Sequence, residues 1–340
     1  MGSGGTTNDT GGSAAGGLVS GGNSTGGRGP VTIGHSELPA PPGSDDLPAP
    51  SGAVGGLTVL NWAGFKGAVS YTFDDANSSQ IAHYDELQAL SVPFTFYIVT
   101  GKAEATSPVW ARAVTDGHEI ANHTKSHLSA GTGEDIDAAT EFIQQKLGVD
   151  VWTMAAPNGA AIYTDLAKPR FFINRGVANG LIAANDNTDP FTLFCYIPPT
   201  GALASAFNTQ IDGARAAGKW RVVLVHGFTG GTDNAYQPIA LEEFVSSVEY
   251  AKSLGDLWLD SVVNVGAYWR GQKAFSQATV TTSGDEQTYT WTLPAHFPPD
   301  RYLRVTVEGG TLRQGDVTLE WNGHGYYEVA LDAGSLTLSP

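Results

Sequence analysis

Two neighbouring carboxylates follow an apolar run early in the chain. The run GAVSYTF, residues 67–73, continues directly into Asp74 and Asp75. Because carboxylates are rarely buried unless they are paired or bind a cation, we interpret this pair as functional rather than as a solvated strand end. Two adjacent carboxylates can divide the work of a hydrolytic site, since one can hold a cation while the other takes a proton from water.

Histidines with the spacing of metal ligands lie further along the chain. The stretch GHEIANHTKSH, residues 117–127, places His123 and His127 four residues apart, so a helical turn would point both imidazoles at one place. His226 ends another apolar run, RVVLVH. The histidine pair is weak evidence alone and gains weight beside the aspartate pair.

This set of side chains has the composition of a hydrolytic metal site. Two imidazoles and a carboxylate form a three-ligand divalent site that keeps positions open for water and substrate, as catalytic zinc sites do. A metal held in this way lowers the pKa of bound water and polarises a carbonyl. The second carboxylate can accept the water's proton, and a histidine across the site can protonate the leaving atom. These residues therefore predict hydrolysis of an amide or an ester.

Apolar runs alternate with helix-like segments between about residues 58 and 272, which predicts parallel βα units. The predicted strands are residues 67–73, 92–99, 149–155, 221–226 and 256–263, and the predicted helices are residues 79–90, 108–117, 134–148, 206–218 and 238–255. Active sites of such folds lie at the carboxyl ends of the strands, where the aspartate pair and His226 stand. The number of units favours a (β/α) barrel over an open sheet.

The motifs TFDD, HTKSH and LVH, in this order, resemble those of the polysaccharide deacetylases, carbohydrate esterase family four. The resemblance covers about residues 65–272 and implies a distorted (β/α) barrel with metal-dependent deacetylase activity. It also implies that Asp74 is the general base, that Asp75, His123 and His127 are the metal ligands, and that His226 is the general acid. Zinc is the expected divalent ion, with cobalt as the alternative.

Two supporting motifs of the family differ here. The third motif of the family reads Arg-x-Pro-Tyr/Phe-Gly, and its arginine fixes the catalytic aspartate, whereas this chain has AAPNG at residues 155–159. The backbone N–H of Asn158 can still bind an oxyanion, because a backbone donor does not depend on the side chain. Without the arginine, another group must orient Asp74. Asp186 and Asp189 in ANDNTDP are the candidates for supporting the acid histidine.

The chain divides into three parts by composition. Residues 1–57 are low in complexity and rich in Gly, Ser and Pro, which predicts a disordered tether. Residues 58–275 form the predicted catalytic domain. Residues 276–340 alternate apolar and polar positions between turn residues, which predicts a small antiparallel β-module. The module's aromatic residues can stack on sugars or pack a small core, and packing is the commoner use: Trp291, Trp321, Tyr326 and Tyr327.

The composition restricts the partners. A net charge of −16 over 340 residues argues against nucleic acid and anionic membranes. No apolar run approaches the roughly 20 residues of a membrane-spanning helix, and no secretion signal is visible at the N-terminus. The single cysteine, Cys195, lies in an apolar stretch and is predicted to be a buried structural thiol.

We therefore predict an enzyme that removes acetyl groups from an acetylated polysaccharide or oligosaccharide. Polymers of N-acetylglucosamine, namely chitin, chito-oligosaccharide or the peptidoglycan glycan, are the first expectation. Acetylxylan, an O-acetyl ester, is the first alternative, and a catalytically weak carbohydrate-binding protein is the second. The tether and the polymeric substrate together predict an extracellular or cell-surface location, with surface tethering through the N-terminal linker.

Overall fold

The computed structural model describes Met1 and residues 36–340, so the first part of the predicted tether, residues 2–35, lies outside the described residues. The strands before the C-terminal module are β1 (Thr58–Val59), β2 (Gly67–Asp74), β3 (Thr95–Ile98), β4 (Glu119–Asn122), β5 (Thr153–Ala155), β6 (Ile173–Arg175), β7 (Ile182–Ala183), β8 (Lys219–Val225) and β9 (Leu257–Leu259). The helices are α1 (Ser78–Ala82), α2 (Tyr84–Gln88), α3 (Val109–Thr115), α4 (Gly133–Leu147), α5 (Ile162–Ala167), α6 (Ala204–Ala217), α7 (Leu241–Ser253) and α8 (Val262–Ser276).

Strand β2 lies inside a sheet with the order β6-β5-β4-β3-β2-β8-β7. Strand β9 pairs with the first residues of β2. All eight residues of β2 are buried. A strand with one face in a barrel and the other under helices needs apolar residues at nearly every position, which explains the unbroken run GAVSYTF. Pairing along β2 is parallel with β3, β8 and β9.

The sheet curls until its two sides meet through residues 193–196. This segment runs parallel to both neighbours, with bridges between Arg175 and Leu193 and between Tyr196 and Val223. Hydrogen bonds hold both sides: Gly176 N donates to Leu193 O at 2.9 Å, and Leu224 N donates to Tyr196 O at 2.8 Å. The ring β2-β3-β4-β5-β6, the segment and β8 is therefore closed, which confirms the predicted distorted (β/α) barrel.

Each predicted strand and helix overlaps an observed one, and the structure adds elements that were not predicted: β1, β4, β6, β7, α5 and α8. Strands β4 and β6 were not predicted, because each offers only three or four residues between polar neighbours. The last predicted strand, residues 256–263, ends early: Ser261 accepts a hydrogen bond from Asn264 N and caps α8. Among the described residues, none of the helices combines the length and the apolar character needed to cross a bilayer.

The C-terminal part is antiparallel, as predicted. Its strands are β10 (Thr279–Ser283), β11 (Glu286–Thr290), β12 (Tyr302–Thr306), β13 (Thr311–Gln314), β14 (Val317–Thr318), β15 (Trp321–Asn322), β16 (Tyr326–Ala330) and β17 (Ser335–Ser339). They form one sheet of the order β1-β12-β16-β15 and another of the order β10-β11-β17-β13-β14. Strand β1, which precedes the barrel in sequence, thus belongs to a sheet of the module.

The module and the barrel share one core, which differs from the predicted boundary at residue 275. Tyr268 and Trp269 of α8 belong to the same buried cluster as Leu303 and Val305 of β12. The module's aromatic residues contribute to packing: Trp291, Tyr326 and Tyr327 are buried, and Trp321 Nε1 donates to Leu47 O at 2.8 Å. The packing interpretation of these aromatic residues is confirmed. Cys195 is buried, as predicted.

The described part of the predicted tether, residues 36–57, lies against the module. We call it the strap. Its carbonyls at Leu38 and Pro39 accept hydrogen bonds from the buried guanidinium of Arg304, at 3.0 and 2.8 Å. Gly52 N donates to Glu308 O at 2.9 Å. The prediction of an unpacked chain is therefore wrong for the strap, because its backbone groups find partners on the module.

Candidate active site

Asp75, His123 and His127 converge at the carboxyl end of the barrel strands. One side-chain donor atom of each lies within 4.8 Å of the others. Nε2 of His127 is 3.4 Å from Oδ1 of Asp75, and Nε2 of His123 is 3.6 Å from the same oxygen. The two imidazole centroids are 4.7 Å apart. The structure thus brings together all three residues that the resemblance implied as metal ligands.

The turns that carry these ligands are irregular rather than helical. Asp75 follows β2 with a φ of 77°, and the turn after β4 has Thr124 at 64° and His127 at 53°. These left-handed values are uncommon in non-glycine residues and are typical of functional turns. The expectation that one helical turn aims His123 and His127 is wrong, because β4 ends at Asn122 and the chain then turns sharply.

The donor set fits a divalent transition metal. The buried Nδ1–H of His123 donates to the carbonyl of Ala155 at 2.9 Å, so the lone pair of Nε2 faces Asp75. A carbonyl that accepts a hydrogen bond from the other ring nitrogen fixes the tautomer of a ligating histidine. Two imidazoles and one carboxylate are also the ligand types that zinc and cobalt accept. Asp75, His123 and His127 are therefore the residues that would hold such an ion.

The charge partner of Asp74 is Arg175, which the sequence analysis did not identify. Arg175 ends β6, its side chain is fully buried, and its Nη2 donates to Oδ2 of Asp74. The motif's arginine is absent, as the sequence shows, and the other group that was expected to orient Asp74 is this guanidinium, which comes from the strand after the AAPNG turn. The short run FFIN followed by Arg175 and Gly176 was the available signal, since it resembles a strand with a charged end.

The charge around Asp74 favours its ionised form. Burial raises the pKa of this carboxyl, but the Arg175 guanidinium, His123 and His226 together offset burial and bring the pKa below its usual value. Oδ2 of Asp74 also lies 3.5 Å from Nε2 of His123. Oδ1 is buried and has no hydrogen-bond partner among the described residues. A buried, ionised carboxylate with one unoccupied oxygen is suited to accept a proton.

His226 directly follows β8, and hydrogen bonds to its backbone carbonyl hold it in place. Its carbonyl accepts hydrogen bonds from Asn77 Nδ2 at 2.8 Å and from Gln80 Nε2 at 2.7 Å. The same Gln80 amide donates to the carbonyl of Asp74 at 2.6 Å. Gln80 therefore fastens the ends of β2 and β8 to each other, which sets the distance between the candidate base and acid. Sequence reasoning missed this role because nothing in SSQIA marks it.

The predicted support for His226 lies elsewhere. Asp186 and Asp189 follow β7, which runs antiparallel to β8 and ends beside Lys219, at the opposite end of the barrel. Both carboxylates accept hydrogen bonds from backbone N–H groups nearby in the chain. Asp186 accepts one from Ala183 N at 2.7 Å, and Asp189 accepts one from Phe191 N. Both candidates are therefore wrong.

Among the described residues, no carboxylate replaces them as a partner of the His226 ring. Nδ1 of His226 is buried and finds no hydrogen-bond partner within the part of the chain that the structure describes. Burial lowers the pKa of His226, and the negative charges of Asp74 and Asp75 partly counteract this. The imidazole is therefore placed beside the carboxylate pair but is not fixed through its ring.

Asn158 lies in another turn after a barrel strand, and an open cleft adjoins the cluster. Asn158 is exposed in the turn after β5, with a φ of 53°. A cleft of about 530 Å³ opens beside Asp75 and His127. Lys102 and Lys125 also line it, which places two cations of this acidic chain next to the metal cluster.

Comparison with known families agrees with this geometry. Residues 64–169, which include the aspartate pair, both histidine ligands and Asn158, match the family model described as polysaccharide deacetylase. The resemblance indicated by the motifs is thereby confirmed. This family match supports a hydrolase that acts on acetylated polysaccharides.

Solved structures of the same class align with the chain at low identity. The Xyl-CE4 domain of a multidomain xylanase from the hindgut metagenome of Trinervitermes trinervoides is 18% identical, with 58% of this chain and 88% of that one covered and a TM-score of 0.41. A family 4 acetyl xylan esterase from Clostridium thermocellum, in complex with a cobalt ion, is 20% identical over 58% and 89%, with a TM-score of 0.40. The catalytic domain of a peptidoglycan N-acetylglucosamine deacetylase from Eubacterium rectale is 17% identical over 59% and 90%, with a TM-score of 0.41.

Proposed function

We propose that the protein is a metal-dependent hydrolase that removes acetyl groups from a polysaccharide, with N-acetylglucosamine polymers as its substrates. One observation carries the proposal: the cluster of Asp75, His123 and His127 lies directly beside the buried, arginine-paired Asp74. A structural ion pair needs neither the neighbouring imidazoles nor a free carboxylate oxygen.

The residues have separate tasks in this proposal. Asp75, His123 and His127 hold the divalent ion, zinc first and cobalt as the alternative. When bound, the ion supplies Lewis acidity, which acidifies water and polarises an acyl carbonyl.

Asp74 removes the proton from the attacking water through its unpartnered Oδ1, while Arg175 keeps its carboxylate ionised and oriented. The N–H of Asn158 stabilises the negative charge that develops on the carbonyl oxygen of the acetyl group when water attacks. His226, held by Gln80 and Asn77, protonates the departing amine or alcohol.

An O-acetyl ester is the second candidate substrate, and the state of His226 favours it. An amine must be protonated to leave, whereas an ester's alcohol leaves more readily and depends less on a protonated histidine. Burial lowers the pKa of the His226 ring, so less of it is protonated near neutral pH, and its Nδ1 has no partner among the described residues. Acetylxylan is therefore the substrate to compare with chito-oligosaccharide.

The test is acetate release by zinc-loaded protein from chito-oligosaccharide and from acetylxylan, with a chelated control. Chelator-sensitive release from the amide substrate supports the proposal, and release from acetylxylan alone supports the esterase. Asp74→Asn should lower kcat by at least about 100-fold, the usual worth of a general base, while zinc binding measured by calorimetry persists. If both substrates stay intact although zinc binds, a carbohydrate-binding protein is the better description. The extracellular or cell-surface location and the tethering remain predictions.

A further inference from the structure

Tyr236 presents an exposed aromatic ring beside the candidate acid. Its ring centroid lies 5.2 Å from that of His226, with the two planes at 84°. Tyr236 is 60% exposed, and within residues 36–340 every other aromatic side chain is buried or half-buried. Because so much of its surface faces solvent, packing within the protein does not account for its position.

The loop that carries Tyr236 is fixed at its base. Thr229 N donates to Ile239 O at 2.8 Å, which closes the loop directly after His226. Within the loop, the carboxylate of Asp233 accepts a hydrogen bond from the backbone N–H of Ser79 at 2.7 Å. The hydroxyl of Ser79 in turn accepts from Phe228 N at 3.1 Å.

Helix α1 contacts both the loop that carries Tyr236 and the backbone of His226. Ser79 and Gln80 are neighbours on α1; Ser79 anchors the loop, and Gln80 binds the carbonyl of His226. Tyr236 and His226 are therefore placed together before any ligand arrives. Preorganisation of this kind lowers the entropy cost of binding.

Other exposed apolar side chains lie in the segments that follow the barrel strands. Leu128 and Val177 follow β4 and β6, and Ile162 begins α5 after β5; their exposed fractions are 55%, 41% and 47%. Single exposed apolar residues are ordinary. Here they come from successive segments after the carboxyl ends of strands, where a ligand that is only partly polar would contact them.

The chemistry of the leaving group identifies what Tyr236 would contact. His226 protonates the atom that leaves, and in a deacetylation that atom is bonded to the sugar ring. The ring that bears the acetyl group must therefore lie on the side of His226, next to Tyr236. The C–H groups of a pyranose carry partial positive charge and complement the negative face of an aromatic ring.

We propose that Tyr236 is the platform on which the acetyl-bearing sugar ring stacks, so that it determines specificity for pyranosyl acetyl groups over acetyl groups on non-cyclic alcohols. This inference rests on the proposed function and adds the recognition element. A stacking platform acts mainly on substrate binding, so it predicts a larger change in KM than in kcat.

The experiment compares Tyr236→Ala, Tyr236→Phe and wild type on chito-oligosaccharide, acetylxylan and triacetin, an acetyl ester without a ring. Tyr236→Ala should raise KM for the saccharide about tenfold and lower the saccharide-to-triacetin ratio of kcat/KM by a similar factor, because it removes the buried face of one ring. Tyr236→Phe should stay close to wild type. Val280→Ala, which alters an exposed apolar residue of β10, is the matched control.

Two results would overturn the platform. In the first, Tyr236→Ala has the same kcat/KM on the saccharides as wild type. In the second, Tyr236→Ala loses as much kcat/KM on triacetin as on the saccharides, which would mean that Tyr236 acts through His226. If wild type releases no acetate from either saccharide, the proposed function fails. The stacking role of Tyr236 is then tested by measuring saccharide binding instead of turnover. Calorimetry of chito-oligosaccharide with Asp74→Asn, with and without Tyr236→Ala, should still show about tenfold weaker binding, and equal affinities would reject it.

Discussion

At the scale of single residues, the pair of Asp74 and Arg175 shows that a contact assigned by the family's motif to one position is made here from another strand. The family's motif places an arginine two residues before the proline of the AAPNG turn, where this chain has Ala155. Strand β6 lies next to β5, and its last residue, Arg175, pairs in register with Ala155. A guanidinium from the adjacent strand therefore reaches the same carboxylate.

Arg175→Gln should move the acid limb of the pH profile of kcat/KM. Arg175 holds the pKa of Asp74 below its usual value against burial, which raises it. Without the cation the pKa of Asp74 rises, so the base becomes protonated at a higher pH, and the acid limb should shift to higher pH. Arg175→Lys should shift it less, because it keeps the charge and loses the planar fork. Arg170→Gln, which removes a surface cation paired with Asp137, is the control; an unmoved limb in Arg175→Gln would show a purely structural role.

The sequence predicted the residues that carry charge or bind a metal, and it could not predict the residues that position them. Asp74, Asp75, His123, His127 and His226 follow apolar runs or stand in motifs, so their types and spacing were informative. The positioning groups act through contacts between segments far apart in the chain. A glutamine such as Gln80 in a short helix carries no periodic signal, and its two hydrogen bonds exist only once β2 and β8 are neighbours.

At the scale of elements, strand β4 is held by a buried histidine at its start. Nδ1 of His118 accepts a hydrogen bond from Phe94 N at 3.0 Å, and its Nε2–H donates to Gln88 Oε1 at 2.9 Å. The imidazole also stacks on the ring of Phe94, with centroids 5.3 Å apart. His118 thus links α2, the entry to β3 and β4.

This histidine should make the fold sensitive to acid. Burial lowers the pKa of His118 from 6.5 to about 4. Between these values the unfolded chain binds a proton that the folded chain does not, so stability is full above pH 6.5, falls as the pH decreases to 4 and then levels off. The loss should be about 3 kcal/mol at most.

Urea unfolding of wild type and His118→Gln at pH 7 and pH 4.5 measures this contribution. The variant should be less stable at pH 7 but should lose less stability between the two pH values. His83→Gln, at a half-buried histidine, is the control and should retain the wild-type difference. Equal losses in wild type and His118→Gln would assign the acid sensitivity to other groups.

At the scale of the whole molecule, Arg304 contacts all three parts into which the sequence analysis divided the chain. Its buried guanidinium donates to the carbonyls of Leu38 and Pro39 in the strap, to that of Ala63 before the barrel, and to the carboxylate of Glu328 in β16. Low-complexity composition predicts that a segment cannot fold alone. It cannot predict that a buried cation elsewhere will bind the backbone carbonyls of that segment.

Arg304→Met should therefore destabilise the molecule as a whole rather than release the strap alone. The change removes the cation paired with Glu328, whose carboxylate keeps its hydrogen bonds from Ser36, and it takes this donor from the accepting carbonyls. Breaking a buried pair from one side costs about 3–5 kcal/mol. Because the barrel and the module share a core, we expect one unfolding transition, shifted to lower temperature, in both calorimetry and tryptophan fluorescence. Arg313→Met is the matched control: its side chain is 42% exposed beside Glu286, and an exposed pair contributes about 0–1 kcal/mol. Two separate transitions, or a shift no larger than that of the control, would mean that Arg304 anchors only the strap.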